Sequence, residues 1–535
     1  MSNELNQLLS AGQQALSQQD WPTVEQVNAQ LQKNFSNIAN AHYFSGLASR
    51  VKSQVPEALE SFKQALKLDP QRYDIGVELA NMYSISRQNG LAAKLLEQYV
   101  PKLHDSPRFL DLAGTIYTEI GLSELALPLF KRACELQPDA QIFKANLATC
   151  AIFLGDIELG EKLYKELLAL NPDHRKNHYQ LSRLKTAKDT EHLEQMLDVI
   201  KGSTDTKRDI PILFALGKEY EDLGEWDRSF EFYKKACDGV RTQTGYKVQD
   251  DVGLIDAVIE CYGADYLSKH PAVSSKAQDN DHKMRATPIF VLGLPRTGTT
   301  LVERIISSHY DVSSVGETTF LQTAIRKAAG LSSGMSINAD VMRTVAEEDP
   351  RLVAEGYMQR IDYRLGEEGF FIEKLPFNFP FTGLIAAAWP QARIVHLVRH
   401  PMDACFSMYK QVFTWAYHFS YSLEDLGNYY IAYNRLRQHW KQVLGDRFVE
   451  VSYEALVSDQ EAQTRQLLDA LDLPFDEACL SFEKNTAPST TASSVQVRSK
   501  VHKGSVGKWE RYQAQLAPLE KILMDAGIDL DSYKA

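Results

Sequence analysis

The sequence predicts an α-helical solenoid followed by an α/β domain with a central parallel sheet. Two observations carry this. Helix-type apolar segments recur at multiples of 34 residues through the first half of the chain. From residue 288 onward the pattern changes to short apolar runs that end in Gly-rich or basic turns and lead into helices. At 535 residues, with 44% hydrophobic and 24% charged residues, the chain has the size of two or more packed units and the composition of folded protein.

The helical half is read from its register. PEALESFKQALKLDP, LSELALPLFKRACELQP and IELGEKLYKELLALNP close at Pro70, Pro138 and Pro172, spaced by 68 and 34 residues. Ala58, Ala92, Ala126 and Gly160 keep this period, as do Phe62, Leu96, Phe130 and Tyr164. Gly46 and Gly114 each stand 12 residues before their small partner. A small residue four positions before a large one lets neighbouring helices approach closely, and the closing Pro ends the second helix of each unit. Gly217, Gly224, Ser229 and Tyr233 echo the same offsets, and 175–210 reads as a diverged repeat. The array is placed at 5–265. Its periodic large residues are packing positions. The stack as a whole offers an extended concave surface suited to a protein or peptide.

LSKHPAVSSKAQDNDHKMRAT is polar and rich in turn formers, and a linker is expected at 266–286, with the second domain at 287–535. PIFVLGL reads as a strand, followed by Gly293 to Thr300 and the helix-like TTLVERIISSH. The loop has the two-glycine spacing of a P-loop but Thr299 where a nucleotide-binding Lys would stand. Backbone N–H groups at such a helix start still cradle a phosphate, and Arg296 supplies a fork-shaped cation. In ARIVHLVRHPMDACFSMYKQ, Arg399 ends a buried strand and Ser407 lies eight residues on, along a helix opened by Pro401. An anion fits between this guanidinium and hydroxyl, a second anion site. Lys374 follows the short strand of GFFIEKLP, and HKGSVGKWERY sets Lys503 beside Gly504 in a basic loop.

Charge and cysteine usage narrow the classes. Fifty-eight Lys plus Arg against 70 Asp plus Glu give a formal charge of -12, which disfavours nucleic acid as a partner. The six Cys form no CxxC pair and no Cys/His cluster at zinc spacing, so a reducing compartment and no metal are expected. Neither a leader-like N-terminus nor an 18-residue apolar run is present, and the expectation is a cytoplasmic protein without a membrane partner. Oligomeric state is not legible.

PRTGTT after a strand, Arg399 with Ser407, and KGSVGKW together resemble the sulfotransferase family that uses 3′-phosphoadenosine 5′-phosphosulfate (PAPS). The helical half resembles tetratricopeptide repeats, and the catalytic half is most similar to tyrosylprotein sulfotransferases. The resemblance implies a P-loop-like sulfotransferase domain with PAPS as co-substrate and no metal. By resemblance, Arg296, Thr297, Gly298, Thr299 and Thr300 hold the 5′-phosphosulfate end. Arg399 and Ser407 match the 3′-phosphate site, Lys503 and Gly504 the loop that closes on it, and Tyr453 a tyrosine near the nucleotide. Glu317 in SSVGETT matches the catalytic base, Lys374 the lysine that stabilises the bridging oxygen, and Ser494 a serine of similar role. His309 and His396 are rival bases, read as structural.

The sequence also departs from that family. Thr319 stands in place of an Arg beside the catalytic Glu, Gln411 in place of a second 3′-phosphate Arg, and Ser499 in place of a Lys. Neighbouring Lys410 is the expected substitute for the second. Arg498, Lys500 and Lys503 are the expected substitutes for the third. The expected function is sulfuryl transfer to an acceptor hydroxyl, with a tyrosine of a docked peptide, a sugar and a small phenol all open. An ATP-dependent kinase is the rival enzyme, against which the missing loop Lys and missing Asp-rich magnesium signature weigh. A catalytically inactive repeat scaffold is the rival outside enzymology.

Overall fold

The computed structural model describes residues 3–103, 105–270, 286–331, 335–413, 416–491 and 493–533. Of the linker expected at 266–286, residues 271–285 lie outside the described residues. The chain forms two compact units, Met1–Cys150 with Arg360–Tyr363, and Ala151–Gln359 with Arg364–Ala535.

The first unit consists of helical hairpins. Ala39–Val51 pairs with Val55–Leu68, Tyr73–Ile85 with Asn89–Tyr99, and Pro107–Glu119 with Ser123–Leu136. The second helices of the repeat units end at Leu68 and Leu136, two residues before Pro70 and Pro138, where a missing N–H costs no helical hydrogen bond. Ala58, Ala92 and Ala126 are fully buried, as the period requires. The small-to-large complementarity runs across each hairpin as well as along the helix. A Cβ on Gly46 would sit 2.6 Å from the Phe62 ring, and one on Gly114 would sit 2.8 Å from Phe130. Burying a ring such as Phe62 contributes about 1.5–3 kcal/mol, and only a glycine opposite it leaves the space. Tyr363 belongs to this unit, where its hydroxyl donates to the Ile120 carbonyl oxygen at 2.6 Å.

The second unit begins with more helices of the same kind. Thr206–Asp222 and Trp226–Arg241 form a hairpin in which Gly217 faces Tyr233 as Gly46 faces Phe62. The diverged stretch holds Arg175–Ser182 and Glu191–Ile200, joined by a buried polar chain. His178 Nδ1 lies 2.9 Å from His192 Nε2, and His192 Nδ1 lies 2.6 Å from Glu219. Packing groups these helices with the α/β part. Lys410 bonds Glu221 at 2.7 Å, Tyr512 bonds Ser229 at 3.0 Å, and the Cys237 thiol donates to the Tyr409 carbonyl oxygen at 3.3 Å. The change of sequence pattern near 287 is thus not the place where packing divides.

The α/β part is a sheet of five parallel strands, β1 (Thr287–Gly293), β2 (Val312–Gly316), β3 (Phe370–Lys374), β4 (Arg393–Val398) and β5 (Phe448–Ser452). Their order is β2-β3-β1-β4-β5. Ile289, Val291, Ile372, Val395 and Leu397 are wholly buried, the pattern of a parallel sheet covered on both faces. The chain leaves β1 toward β3 and β2, then crosses to β4 and β5. β1 is therefore the switch point, and the crevice beyond its C-terminal end is where such sheets bind ligands.

Candidate active site

Each of the five strands ends at that edge with one residue singled out from the sequence. Arg296 follows β1, Glu317 follows β2, Lys374 ends β3, Arg399 follows β4 and Tyr453 follows β5. Parallel pairing alone brings them to one rim, although they span more than 150 positions.

The loop after β1 turns through two left-handed residues, Arg296 at φ 66° and Gly298 at φ 102°. Gly298 is needed twice over, because a Cβ there would also lie 2.7 Å from the Tyr453 ring. Arg296 has no such freedom and takes on about 1–2 kcal/mol of strain. Its carbonyl oxygen accepts from Arg399 Nη1 at 2.9 Å, which fixes the turn. The helix Thr299–Ile306 then starts with no side chain capping its N-terminus, so first-turn N–H groups face the loop. Thr297 steadies the loop by donating to the Leu294 carbonyl oxygen at 2.7 Å. Thr299 and Thr300 are buried in the first turn, and Thr300 Oγ1 lies 3.4 Å from Thr491 Oγ1.

Arg399 is the hub of the group expected from the sequence to be a second anion site. It donates to Ser407 Oγ at 3.1 Å and to the Ser505 carbonyl oxygen, and its guanidinium lies over the Tyr453 ring, 4.8 Å from the centroid. Arg399 is 6% exposed, yet its Nε has no partner among the described residues. A buried charged donor left unsatisfied is costly, and a phosphate oxygen satisfies it. The loop carrying Lys503 and Gly504 is pinned by Asp403, which accepts from the Gly507 N–H at 2.7 Å and the Trp509 N–H at 3.2 Å. Lys503 itself donates to Ser458 at 3.2 Å.

The third group is acidic and basic at once. Lys374, wholly buried, donates to Glu317 and lies 3.7 Å from Glu303, whose carboxylate also accepts from Ser314 Oγ at 2.7 Å. Glu303 rides on the helix that begins in the β1 loop, so the ion-paired group and the loop are built on one element. Behind them, Glu373 accepts from Thr318 at 2.8 Å, Tyr357 at 2.5 Å and Asn378 at 3.4 Å, and burial pushes its carboxyl up to about 7. Thr318 adjoins Glu317, and this network anchors the turn that presents it. Tyr417 stands beside Glu317, its hydroxyl driven well up by burial and by that carboxylate, with Phe413 and Phe377 at ring distances of 4.8 and 5.8 Å.

Other expectations land elsewhere. Ser494 is buried, and its N–H donates to the Thr491 carbonyl oxygen at 3.1 Å, whereas its neighbour Ser493 accepts from Arg296. Gln496 accepts from the same guanidinium at 3.0 Å. Arg498 turns to Phe153, donating to its carbonyl oxygen at 2.9 Å. Lys410 is held by both Glu221 oxygens, at 2.8 and 2.7 Å, which occupies the cation expected to compensate for Gln411. His309 lies 3.0 Å from the Pro474 carbonyl oxygen, and His396 lies 3.0 Å from the Tyr433 hydroxyl with its ring held neutral by burial, so both are structural. Ser493, Gln496, Ser505 and Asp403 escaped sequence reasoning. Of these only Asp403, four residues past Arg399 in the first turn of the helix Pro401–Tyr409, carried a local signal.

Residues 288–477 match the model of the sulfotransferase family. An uncharacterized protein of Aquifex aeolicus is 28% identical over 444 residues, covering 81% of this chain and 57% of that protein. Protein-tyrosine sulfotransferase 1 of Danio rerio is 26% identical over 252 residues, covering 43% of this chain and 70% of that one. Among solved structures, the repeat protein YrrB aligns with 34% of this chain and 95% of its own, at 19% identity and a TM-score of 0.29. The chain spans 57% of the length of its Aquifex relative.

Proposed function

We infer that this chain, a tetratricopeptide-repeat array joined to a sulfotransferase-family domain, moves a sulfuryl group from PAPS to an acceptor hydroxyl. The observation that carries the reading is the pairing of two separate cationic groups with buried Lys374, ion-paired to the accessible carboxylate of Glu317, along the same sheet edge. A donor with phosphate groups at both ends of its ribose needs the two sites, and the reaction needs the pair.

In this reading the β1 loop and the Thr299 helix start bind the 5′ end, while Arg399 and Ser407 bind the 3′-phosphate over Tyr453. Glu317 takes the proton of the acceptor hydroxyl as the acceptor oxygen bonds to sulfur, and the bond from sulfur to the 5′-phosphate oxygen breaks. Lys374 and Arg296 offset the charge arriving on that oxygen, and adenosine 3′,5′-bisphosphate leaves. Ser494 supports the Ser493 and Arg296 side of the pocket, and Arg498 and Lys503 hold the closing segment. The Tyr417 ring near Glu317, with Phe377 and Phe413 packed against it, favours a phenolic acceptor such as a peptide tyrosine. We propose that the helical repeats of 5–265 serve to bind the protein or peptide that carries the acceptor, with the chemistry carried by the domain at 287–535.

Incubating the full chain with sulfur-labelled PAPS and tyrosine-containing peptides tests this. Label is expected in an ester on the phenol oxygen. Labelled ATP transferring phosphate, with no transfer from PAPS, would reverse the conclusion.

A further inference from the structure

We propose that Glu221, on a helix of the repeat type, is a positioning residue for the 3′-phosphate end of the donor site. Its carboxylate ties the helix that carries Ser407 to the loop that carries Lys503 and Gly504. The proposal rests on the PAPS reading and deepens it.

Arg399 takes two of its polar contacts from separate segments. Ser407 Oγ, at 3.1 Å, comes from the helix Pro401–Tyr409, and the Ser505 carbonyl oxygen comes from the loop near the C-terminus. How both reach one guanidinium depends on how those segments are held. Asp403 joins them once, accepting from the N–H groups of Gly507 at 2.7 Å and Trp509 at 3.2 Å. Lys508 stands between these two residues in sequence, and its ammonium lies 3.8 Å from Glu221. Glu221 also receives Lys410, the residue after the Ser407 helix, on both oxygens at 2.8 and 2.7 Å, and the Tyr512 hydroxyl at 3.3 Å. From the helix Thr206–Asp222, one carboxylate joins the same two segments a second time.

The side chains of Glu221 and Lys410 are 13% and 15% exposed, so water screens the pair poorly. Removing the acid would leave a desolvated ammonium with a second ammonium nearby, and the two repel. Those lysines sit on the two segments that Arg399 bridges. Aromatic packing fixes the helical hairpin against both. The Tyr512 ring lies 4.4 Å from that of Phe406, the neighbour of Ser407, and Phe230, on the helix Trp226–Arg241, stacks on Tyr409 at 5.8 Å. The Tyr512 hydroxyl is also 3.0 Å from Ser229 Oγ, which donates to the Gly217 carbonyl oxygen at 2.8 Å. Glu221 is therefore set in a rigid frame, and Ser407 and Ser505 are placed relative to it. The Glu317–Lys374 pair is built on β2 and β3, across β1 from β4 and Arg399, so loosening this tie falls on donor binding before it falls on the chemistry.

Equilibrium binding of adenosine 3′,5′-bisphosphate and adenosine 5′-monophosphate to the full chain, with donor KM and kcat in the peptide assay, tests this. Glu221→Gln is expected to weaken the bisphosphate about 10-fold and the monophosphate at most about twofold, and to raise the donor KM more than it lowers kcat. Glu221→Asp keeps a charge for Lys410 but shortens the reach to Tyr512 and Lys508, and a selective loss of about threefold is expected. The double variant Glu221→Gln/Lys410→Gln removes the orphaned cation and should recover bisphosphate affinity relative to Glu221→Gln alone. Unchanged bisphosphate affinity in Glu221→Gln overturns the assignment and leaves the PAPS reading intact. So does a parallel weakening of both nucleotides, which a merely structural role would give. Should Glu221→Gln fail to fold, Glu221→Asp decides by the same criteria. Equal affinity of the unmodified chain for the two nucleotides overturns the PAPS reading, and the proposal with it.

Discussion

Arg399 donates to the carbonyl oxygen of Arg296 at 2.9 Å, so the residue that follows β4 holds the strained turn that follows β1. Arg399 and the β1 loop are therefore mechanically linked, and a change at Arg399 is expected to be felt in that loop. The hydrogen bond also gives Arg296 a reason to hold a left-handed backbone that its side chain disfavours.

Adenosine 3′,5′-bisphosphate should bind the full chain more tightly than ADP, and Arg399→Ala should erase the difference. A charge-assisted hydrogen bond is worth about 1.5–3 kcal/mol, so the preference is expected to fall by about 10- to 100-fold. Calorimetry on both ligands measures it. Because the Arg296 turn loses its anchor, ADP should weaken too, and ADP binding unchanged in the variant would mean the two sites are independent.

Glu317→Gln should lower turnover by about 10² to 10⁴ while leaving bisphosphate affinity near that of the unmodified chain. Lys374→Met should cost about 10² to 10³ in turnover, since it removes a buried cation opposite Glu317 and Glu303. Single-turnover rates with saturating donor separate these effects from binding. Glu317→Gln with more than half the activity would transfer the role of base to another group.

Glu373 carries a pH signature. Burial raises its carboxyl from 4.5 to about 7, so the folded state holds a proton that the unfolded chain releases. Stability from this group is then fullest below about 4.5 and falls as pH rises toward about 7, beyond which the loss is constant. Glu373→Gln, which keeps an acceptor for Thr318 and Tyr357, should flatten that slope. Thermal midpoints of both proteins between pH 5 and 8 check this, and parallel curves would place the titration elsewhere.

A fragment starting at residue 287 should fail to fold, whereas one starting at 151 should unfold cooperatively and bind the bisphosphate. The shorter piece leaves Lys410 without Glu221, Tyr512 without Ser229 and Arg498 without the Phe153 carbonyl. Nucleotide-dependent thermal shifts distinguish the two. Full-chain affinity in the 287 fragment would show that the helices from 151 to 269 are dispensable to the sheet.

Gly46→Ala should destabilise the first unit by about 1–3 kcal/mol, because its Cβ would meet the Phe62 ring at 2.6 Å inside a closed hairpin. Adding Phe62→Leu should return part of that loss. Urea midpoints of the two variants measure the coupling.

The sequence by itself determined what is local. A 34-residue period is written into the helices from Ala39 to Leu170, and a strand, a two-glycine loop and a helix start follow one another in Thr287 to Ile306. The rim residues Arg296, Glu317, Lys374, Arg399 and Tyr453 were legible because each sits at the C-terminal end of an apolar run, and parallel pairing gathers such ends. Only the tertiary structure decided which side chains meet across long separations. Ser493 instead of Ser494 reaches Arg296, Glu221 claims Lys410, and Gln411 touches Tyr179 from 232 positions away. The physical reason is that periodicity and turn chemistry act over a few residues and survive in any chain with the same local sequence. A hydrogen bond between distant segments depends on where packing sets two backbones, to within about an ångström, and no local pattern encodes that distance.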